Sequence, residues 1–237
     1  MNLLALESST KHFSLAVAQD AKILSTKNVF LKKVLSDSIV PDINRVLTKA
    51  RIKLDQLDGF VVGLGPGSFT SLRVGLATIK GLAFALDKPV VGICSLEAIA
   101  LNIFKAKGRL KEDWDRVCVI SDARRNLVYS CSYEFKKDKI QTIGHPRLGP
   151  IAEVLNLKGS YIFAGDALPL FQETILAESG KKDFPLKVSF APEKFWFPQA
   201  KELVTLALPK FQMGKSDNID TLVPIYLYPE DCQVAKK

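Results

Sequence analysis

Gly63-Leu64-Gly65-Pro66-Gly67-Ser68-Phe69-Thr70 is the run best suited to chemistry in this 237-residue chain. Glycines after an apolar strand let backbone approach a ligand closely, and free N–H groups at a helix start attract anions. The run fits none of the usual templates. A dinucleotide fingerprint needs glycine where Ser68 stands, and a phosphate loop needs Gly-Lys-Ser/Thr, which never occurs. A nucleophile elbow needs glycines where Pro66 and Thr70 stand. Gly65, Gly67, Ser68, Thr70 and Arg73 are therefore read first as a strand-to-helix turn, with Ser68 or Thr70 capping the helix, and only second as an anion cradle.

Two carboxylates end apolar strands in comparable settings. Glu7 follows Leu3–Leu6 and precedes Ser8-Ser9-Thr10, while Asp122 follows Val117–Ile120 and precedes Ala123-Arg124-Arg125. Such acids can position a metal-bound nucleotide or a water, and Ser8 and Ser9 could meet phosphate oxygens. Neither following turn contains the glycine that lets backbone close on phosphate. Only two histidines occur, His12 and His145, and the four cysteines are widely spaced without a C-x-x-C pair. A zinc site or a disulfide framework has little material here.

The elements around these residues follow from hydropathy patterning. Leu3–Leu6, Phe13–Ala18 and Ile23–Phe30 read as a strand meander, followed by an amphipathic helix from Ser36 to Leu47. Phe60–Leu64 is a buried-type strand entering the glycine turn and a helix from Ser68 to Leu86. Pro89–Ile93 is a further strand, and Ser95 can cap a helix reaching Lys107. After the polar stretch 107–113 the plan repeats: strand Val117–Ile120, acid, turn, strand Leu127–Tyr133. A short helix near Ile151–Leu155, a strand Tyr161–Ala164 and a helix Pro198–Phe211 complete the pattern. Two α/β lobes, 1–107 and 108–237, each opening with strand, acid, turn and strand, are the organisation of the actin-like, Hsp70-like ATPase fold (ribonuclease H-like units).

The helix after the glycine turn is apolar almost all round. Leu72, Leu76, Ile79, Ala83 and Leu86 form one face, and Ser71, Gly75, Thr78, Gly81 and Ala85 form a second of small residues. One face suffices to dock a helix on its sheet. The two internal glycines each cost about 1 kcal/mol relative to alanine, so close packing must offset them. That packing is expected at a subunit interface, with Ser36–Leu47 as companion helix, and Gly75→Leu is expected to abolish partner binding while the fold stays compact.

Charge and composition narrow the classes. Apolar residues make up 47% and charged residues 24%, which excludes wholesale disorder. The net charge of +8 suits an acidic partner, but the cations are scattered and form no nucleic-acid module. The N-terminal apolar run is too short for a signal peptide, and polar residues interrupt Val61–Leu86, so a cytosolic protein without a membrane span is expected.

Taken together, Leu4-Ala5-Leu6-Glu7-Ser8-Ser9-Thr10, the block from Gly65 to Gly75 with Lys80-Gly81-Leu82-Ala83, Asp122-Ala123-Arg124 and Pro224-Ile225-Tyr226-Leu227 resemble the TsaB (YeaZ) family. The resemblance implies a subunit of the tRNA threonylcarbamoyladenosine machinery. That family is similar to the catalytic subunit TsaD but lacks its H-x-x-x-H metal motif, as this chain does. It implies a non-catalytic subunit without intrinsic cofactor, pairing with TsaD and the ATPase TsaE, with ATP or ADP in the assembled complex. It implies a homodimer when the chain is alone, and contact with tRNA through the complex. In the family a helix bundle makes the contact, which implies Ile39, Asp42, Ile43 and Val46 with Ser71, Gly75 and Thr78 as interface residues. Glu7, Ser71 and Tyr228 stand where the family usually has Asp, Gly and Arg, and Leu35-Ser36 where a histidine is common. An independent actin-like-fold ATPase or kinase is the alternative, resting on Glu7 and Asp122; a peptidase lacks both paired histidines and a nucleophile elbow.

Overall fold

A computed structural model describes residues 1–32, 34–110, 114–137, 139–179 and 186–228. The first sheet runs β3-β2-β1-β4-β5, from β1 (Asn2–Glu7), β2 (His12–Gln19), β3 (Lys22–Phe30), β4 (Gly59–Gly63) and β5 (Val90–Ile93). β1–β2 and β2–β3 are antiparallel hairpins, whereas β1–β4 and β4–β5 are parallel. Parallel pairing requires crossovers, supplied by α1 (Ile39–Ala50) and α2 (Phe69–Leu86).

The second sheet repeats the plan. β6 (Arg116–Arg124), β7 (Leu127–Lys136), β8 (Lys139–Gly149), β9 (Gly159–Ala164) and β10 (Leu186–Phe190) lie in the order β10-β9-β6-β7-β8. Again two antiparallel pairs precede two parallel ones. The strand order around β6 matches that around β1, so the duplication expected from the two strand–acid–turn–strand openings extends to the whole sheet.

The helices form three layers. α1 and α2 cover one face of the first sheet through Ile39, Ile43, Val46, Leu76 and Ile79. α3 (Ser95–Lys105) and α6 (Ala200–Gln212) lie between the sheets: α6 packs Leu203, Val204 and Ala207 on the first, and α3 packs Leu96, Ile99 and Ile103 on the second. A buried Glu202, paired with Lys105, ties the two helices together. α5 (Leu168–Ser179) covers the outer face of the second sheet, where α4 (Ile151–Val154) adds Ile151. The division at 107/108 thus separates the sheets but not the helices, because α6 crosses back to the first sheet.

Several local expectations shift. Leu35–Asp37 is a single 3-10 turn, and the regular helix starts at Ile39 rather than Ser36. β8, α5 and β10 escaped the sequence reading. β8 is an edge strand with mostly exposed residues, so burial imposes no alternation on it. Trp114, expected beside a polar linker, is fully buried against Phe104. Residues 111–113 of that stretch lie outside the described residues.

Candidate functional site

The glycine turn is held by Ser95 and by the β1–β2 loop. The Gly65 N–H donates to Ser95 Oγ at 3.1 Å and the Ser68 N–H to the Ser9 carbonyl at 2.7 Å. A Cβ on Gly67 would fall 2.1 Å from that carbonyl, so only glycine allows the β1–β2 loop this close. Two of the donors expected to form an anion cradle, the Gly65 and Ser68 N–H groups, are thus satisfied within the chain. Ser68 occupies the N-cap position of α2 without a side-chain cap bond, its hydroxyl lying 3.1 Å from Ser71 Oγ, and Thr70 is already inside the helix.

Glu7 is sealed rather than facing a cleft. It is 0% exposed; Oε1 accepts the Ser9 N–H at 2.6 Å and Oε2 the Ser95 hydroxyl at 2.7 Å. Ser95, expected as a helix cap, instead joins Glu7 to the glycine turn, and Cys94 holds the N-cap position. Ser8 is also buried, its hydroxyl donating to the Ser71 carbonyl at 3.0 Å, and Ser9 is buried beside it. Asp122 belongs to its own hairpin, accepting the Arg124 N–H at 2.7 Å and pairing with the Arg124 guanidinium at 3.0 Å. Glu7, Ser8 and Ser9 therefore brace the first lobe, and the ATPase reading loses one of the two carboxylates on which it rested.

Burial pushes the Glu7 carboxyl above its ordinary value of 4.5, against hydrogen bonds from Ser95 and Ser9 that favour the ionised form. A raised folded-state pKa gives stability that is full below the unfolded value and is lost as pH rises through the folded one. Glu7→Gln removes this dependence. The advantage of the wild type over the variant in urea unfolding should therefore be largest near pH 4 and shrink as pH rises from about 4.5 towards neutral. A difference independent of pH would show that Glu7 titrates normally.

The expected interface residues divide sharply. Ile39, Asp42, Ile43 and Val46 are all 1–3% exposed and lie inside the first lobe. Asp42 is held by Lys27 of β3 and by Arg45. Gly75 is buried against β1: a Cβ there would meet Ser8 Oγ at 2.3 Å and Leu6 Cδ2 at 2.8 Å. Ser71 and Thr78 are half-buried. For Ile39, Asp42, Ile43, Val46 and Gly75 the expectation is corrected, because the single apolar stripe of α1 and the glycine of α2 are used on the lobe's own sheet, whereas Ser71 and Thr78 keep part of their surface.

What remains open is the opposite side of α2. Thr70, Arg73, Ala77, Gly81, Phe84 and Ala85 are exposed, Phe84 by 81%, and a Cβ on Gly81 would meet nothing within 4 Å. On α1, which covers the same face of the sheet, Val40 is 56% exposed. Among the described residues α2 is also the only helix long and apolar enough to cross a membrane, with 28% of it buried. α2 is thus an apolar helix seated on its sheet by one face, with the other bare. Of the exposed residues, the sequence pattern sets Gly81 and Ala85 on a face of small residues with Gly75, whereas the structure groups them with Ala77 and Phe84.

Between the lobes, a cleft of ≈ 370 Å³ lies beside His12, whose ring stacks on Phe197 at 3.6 Å. Burial lowers the His12 pKa, with Asp166 and Glu193 opposing. Asp166, in the Gly165-Asp166 turn after β9, accepts the Ser121 hydroxyl and the Asp122 N–H.

The doubled sheet and the interleaved helices α3 and α6 define a protein of the actin-like, Hsp70-like ATPase fold, here with its first strand-end acid locked inside. The profile of the family described as TsaD, tRNA N6-adenosine threonylcarbamoyltransferase, matches residues 31–236, and the chain belongs to that family, on its TsaB (YeaZ) branch. The tRNA threonylcarbamoyladenosine biosynthesis protein TsaB of Bacillus subtilis is 28% identical over 231 residues, spanning 96% of this chain and 94% of its own length. The protein of that name from Escherichia coli is 23% identical over 233 residues, again 96% and 94%. The solved structure of YeaZ from Pseudomonas aeruginosa superposes with a TM-score of 0.77 at 25% identity, covering 95% of this chain and 99% of the other.

Proposed function

We propose that this chain is the non-catalytic partner subunit of a complex that transfers threonylcarbamoyl from threonylcarbamoyl-adenylate to the adenosine beside the tRNA anticodon. The bare apolar face of α2 carries the reading. It is the docking surface for a TsaD-type catalytic subunit, and family membership supplies that partner's class. Without the partner, the same surface supports self-association. A TsaE-type ATPase, ATP or ADP and the tRNA join through the assembled complex, in the cytoplasm.

The chain contributes the surface and not the chemistry. Glu7 is engaged by Ser9 and Ser95, and among the described residues no group of three or more His, Cys, Asp or Glu is placed to hold a metal ion. Mixing the purified chain with the TsaD-type subunit of the same organism, with and without nucleotide, should give a stoichiometric complex by light scattering. Only the mixture should support transfer to tRNA. Absence of a complex under both conditions overturns this function, as would turnover by the chain alone.

A further inference from the structure

The starts of β6, β9, β10 and β8 and the end of β7 lie together along one rim of the second sheet. The register sets Gly159 beside Leu186, Arg116 beside both Tyr161 and Glu134, and Lys136 beside Lys139. Every strand brings a cation to this rim: Lys187 in β10, Lys158 just before β9, Arg116 in β6, Lys137 just after β7 and Lys139 in β8. The lysines among them are all exposed. Cations scattered along the sequence thus become one row. Neighbouring strands lie about 4.8 Å apart, so the row is about 20 Å long.

The acids at this end do not cancel the row. Glu134 is paired with Lys136 at 2.7 Å, and Glu178 near the end of α5 is itself engaged. Asp115 is the remaining acid on these strand ends among the described residues. The adjoining stretches 111–113, 138 and 180–185 nearly balance, with Lys111, Lys181 and Lys182 against Glu112, Asp113, Asp138 and Asp183. Lys107, 4.8 Å over the Trp114 ring, adds a further cation beside β6. Arg116 is fixed in place, its Nη1 donating to the Lys158 carbonyl at 3.1 Å and its guanidinium 5.7 Å from the Tyr161 ring. Lys137 holds a left-handed conformation, φ 50°, which glycine or asparagine adopts at lower cost, so turn geometry does not account for a lysine there.

A row of cations this long suits a polyanion. Lysine is depleted in protein interfaces, whereas a nucleic-acid backbone is met by several lysines and arginines together. The rim lies at the other end of the strands from Asp122, Asp166 and the cleft between the lobes, and on the other lobe from α2. It therefore belongs neither to that cleft nor to the bare face of α2. We propose that this rim of the second sheet binds the sugar–phosphate backbone of the tRNA in the assembled complex, by charge and without reading sequence. This rests on the partner-subunit function and gives the chain a direct hold on the substrate.

The test is fluorescence anisotropy of labelled tRNA titrated with the complex of the full-length chain and its TsaD-type subunit, across a salt series. Lys139→Glu combined with Lys187→Glu should raise the Kd about tenfold or more. The slope of log Kd against log salt should fall by about 1.5, since each lost phosphate contact removes about 0.7–0.9. Lys22→Glu combined with Lys215→Glu makes the same change in net charge on exposed lysines away from the rim, and should alter the Kd less than about threefold. Melting temperatures and affinity for the TsaD-type subunit should be unchanged in both variants. Equal weakening by the two pairs would reduce the effect to net charge and overturns this inference. Unchanged tRNA affinity in the rim variant also overturns it, leaving the partner-subunit function standing; lost subunit affinity in that case would assign the rim to a protein. Absence of any complex overturns the partner-subunit function and this inference with it.

Discussion

Leucine at Gly75 is expected to destabilise the first lobe strongly rather than merely detach a partner. The position faces β1, where the first added carbon would stand 2.3 Å from Ser8 Oγ and 2.8 Å from Leu6 Cδ2. Leucine then adds three more carbons to a site with no room, forcing α2 off its sheet. Overpacking of this kind costs about 1–3 kcal/mol and sometimes more. The displaced Ser8 also loses its hydrogen bond to the Ser71 carbonyl, a further ~1 kcal/mol. A total of about 4 kcal/mol is a large fraction of the stability of a typical domain. Thermal unfolding should fall by about 10 °C or more at this chain length. A melting temperature within 2 °C or so of wild type would show that α2 does not rest on β1 through Gly75. The expected compact fold of this variant was wrong about which side of the helix the glycine occupies.

Gly81→Gln is the contrasting case, and its effect should fall almost entirely on association. A Cβ at Gly81 meets nothing within 4 Å, and the residue sits on the bare side of α2 with Ala77 and Phe84. Replacing a mid-helix glycine with glutamine should leave stability unchanged or raise it by about 0.5 kcal/mol. A long polar side chain at the point where another helix must approach closely should raise the Kd for the TsaD-type subunit about a hundredfold, equivalent to about 2.7 kcal/mol. Binding and unfolding measured on the same preparation separate the two effects. Unchanged affinity would move the docking surface away from the middle of α2. A stability loss above ~1 kcal/mol would place Gly81 inside the fold.

These two glycines differ by six residues in one apolar helix and have opposite consequences. Their sequence neighbours, small and apolar in both cases, do not distinguish them. The same ambiguity affected α1. Its stripe of Ile39, Ile43 and Val46 was correctly placed on one side of a helix, but that side faces the sheet and not a partner. An amphipathic helix in a layered α/β fold satisfies its own sheet first, since that burial accompanies folding of the chain itself.

The strand pattern, the glycine turn and the duplicated opening were legible because each rests on local chemistry. Runs such as Leu3–Leu6 and Val117–Ile120 can be buried on both faces only as inner strands, and Gly67 marks a backbone approach that no side chain permits. The return of α6 to the first sheet, the lock of Glu7 by Ser95 and the hydrogen bond from Arg73 to the Tyr226 hydroxyl were not legible. Their partners lie far away in the chain, 88 residues for Glu7 and Ser95 and 153 for Arg73 and Tyr226.

The sequence by itself determined that the glycine block launches a helix with more apolar surface than one sheet can cover. Composition and spacing suffice for that, and the surplus points to a second protein. Only the tertiary structure decided which side of the helix is spent within the chain. The close approach of Ser9 to Gly67 and of Ser8 and Leu6 to Gly75 sets the rotation of α2 on β1, leaving Arg73, Ala77, Gly81 and Phe84 outside. Periodicity gives the faces of a helix but not its phase against a sheet, because steric contact between residues distant in sequence sets that phase.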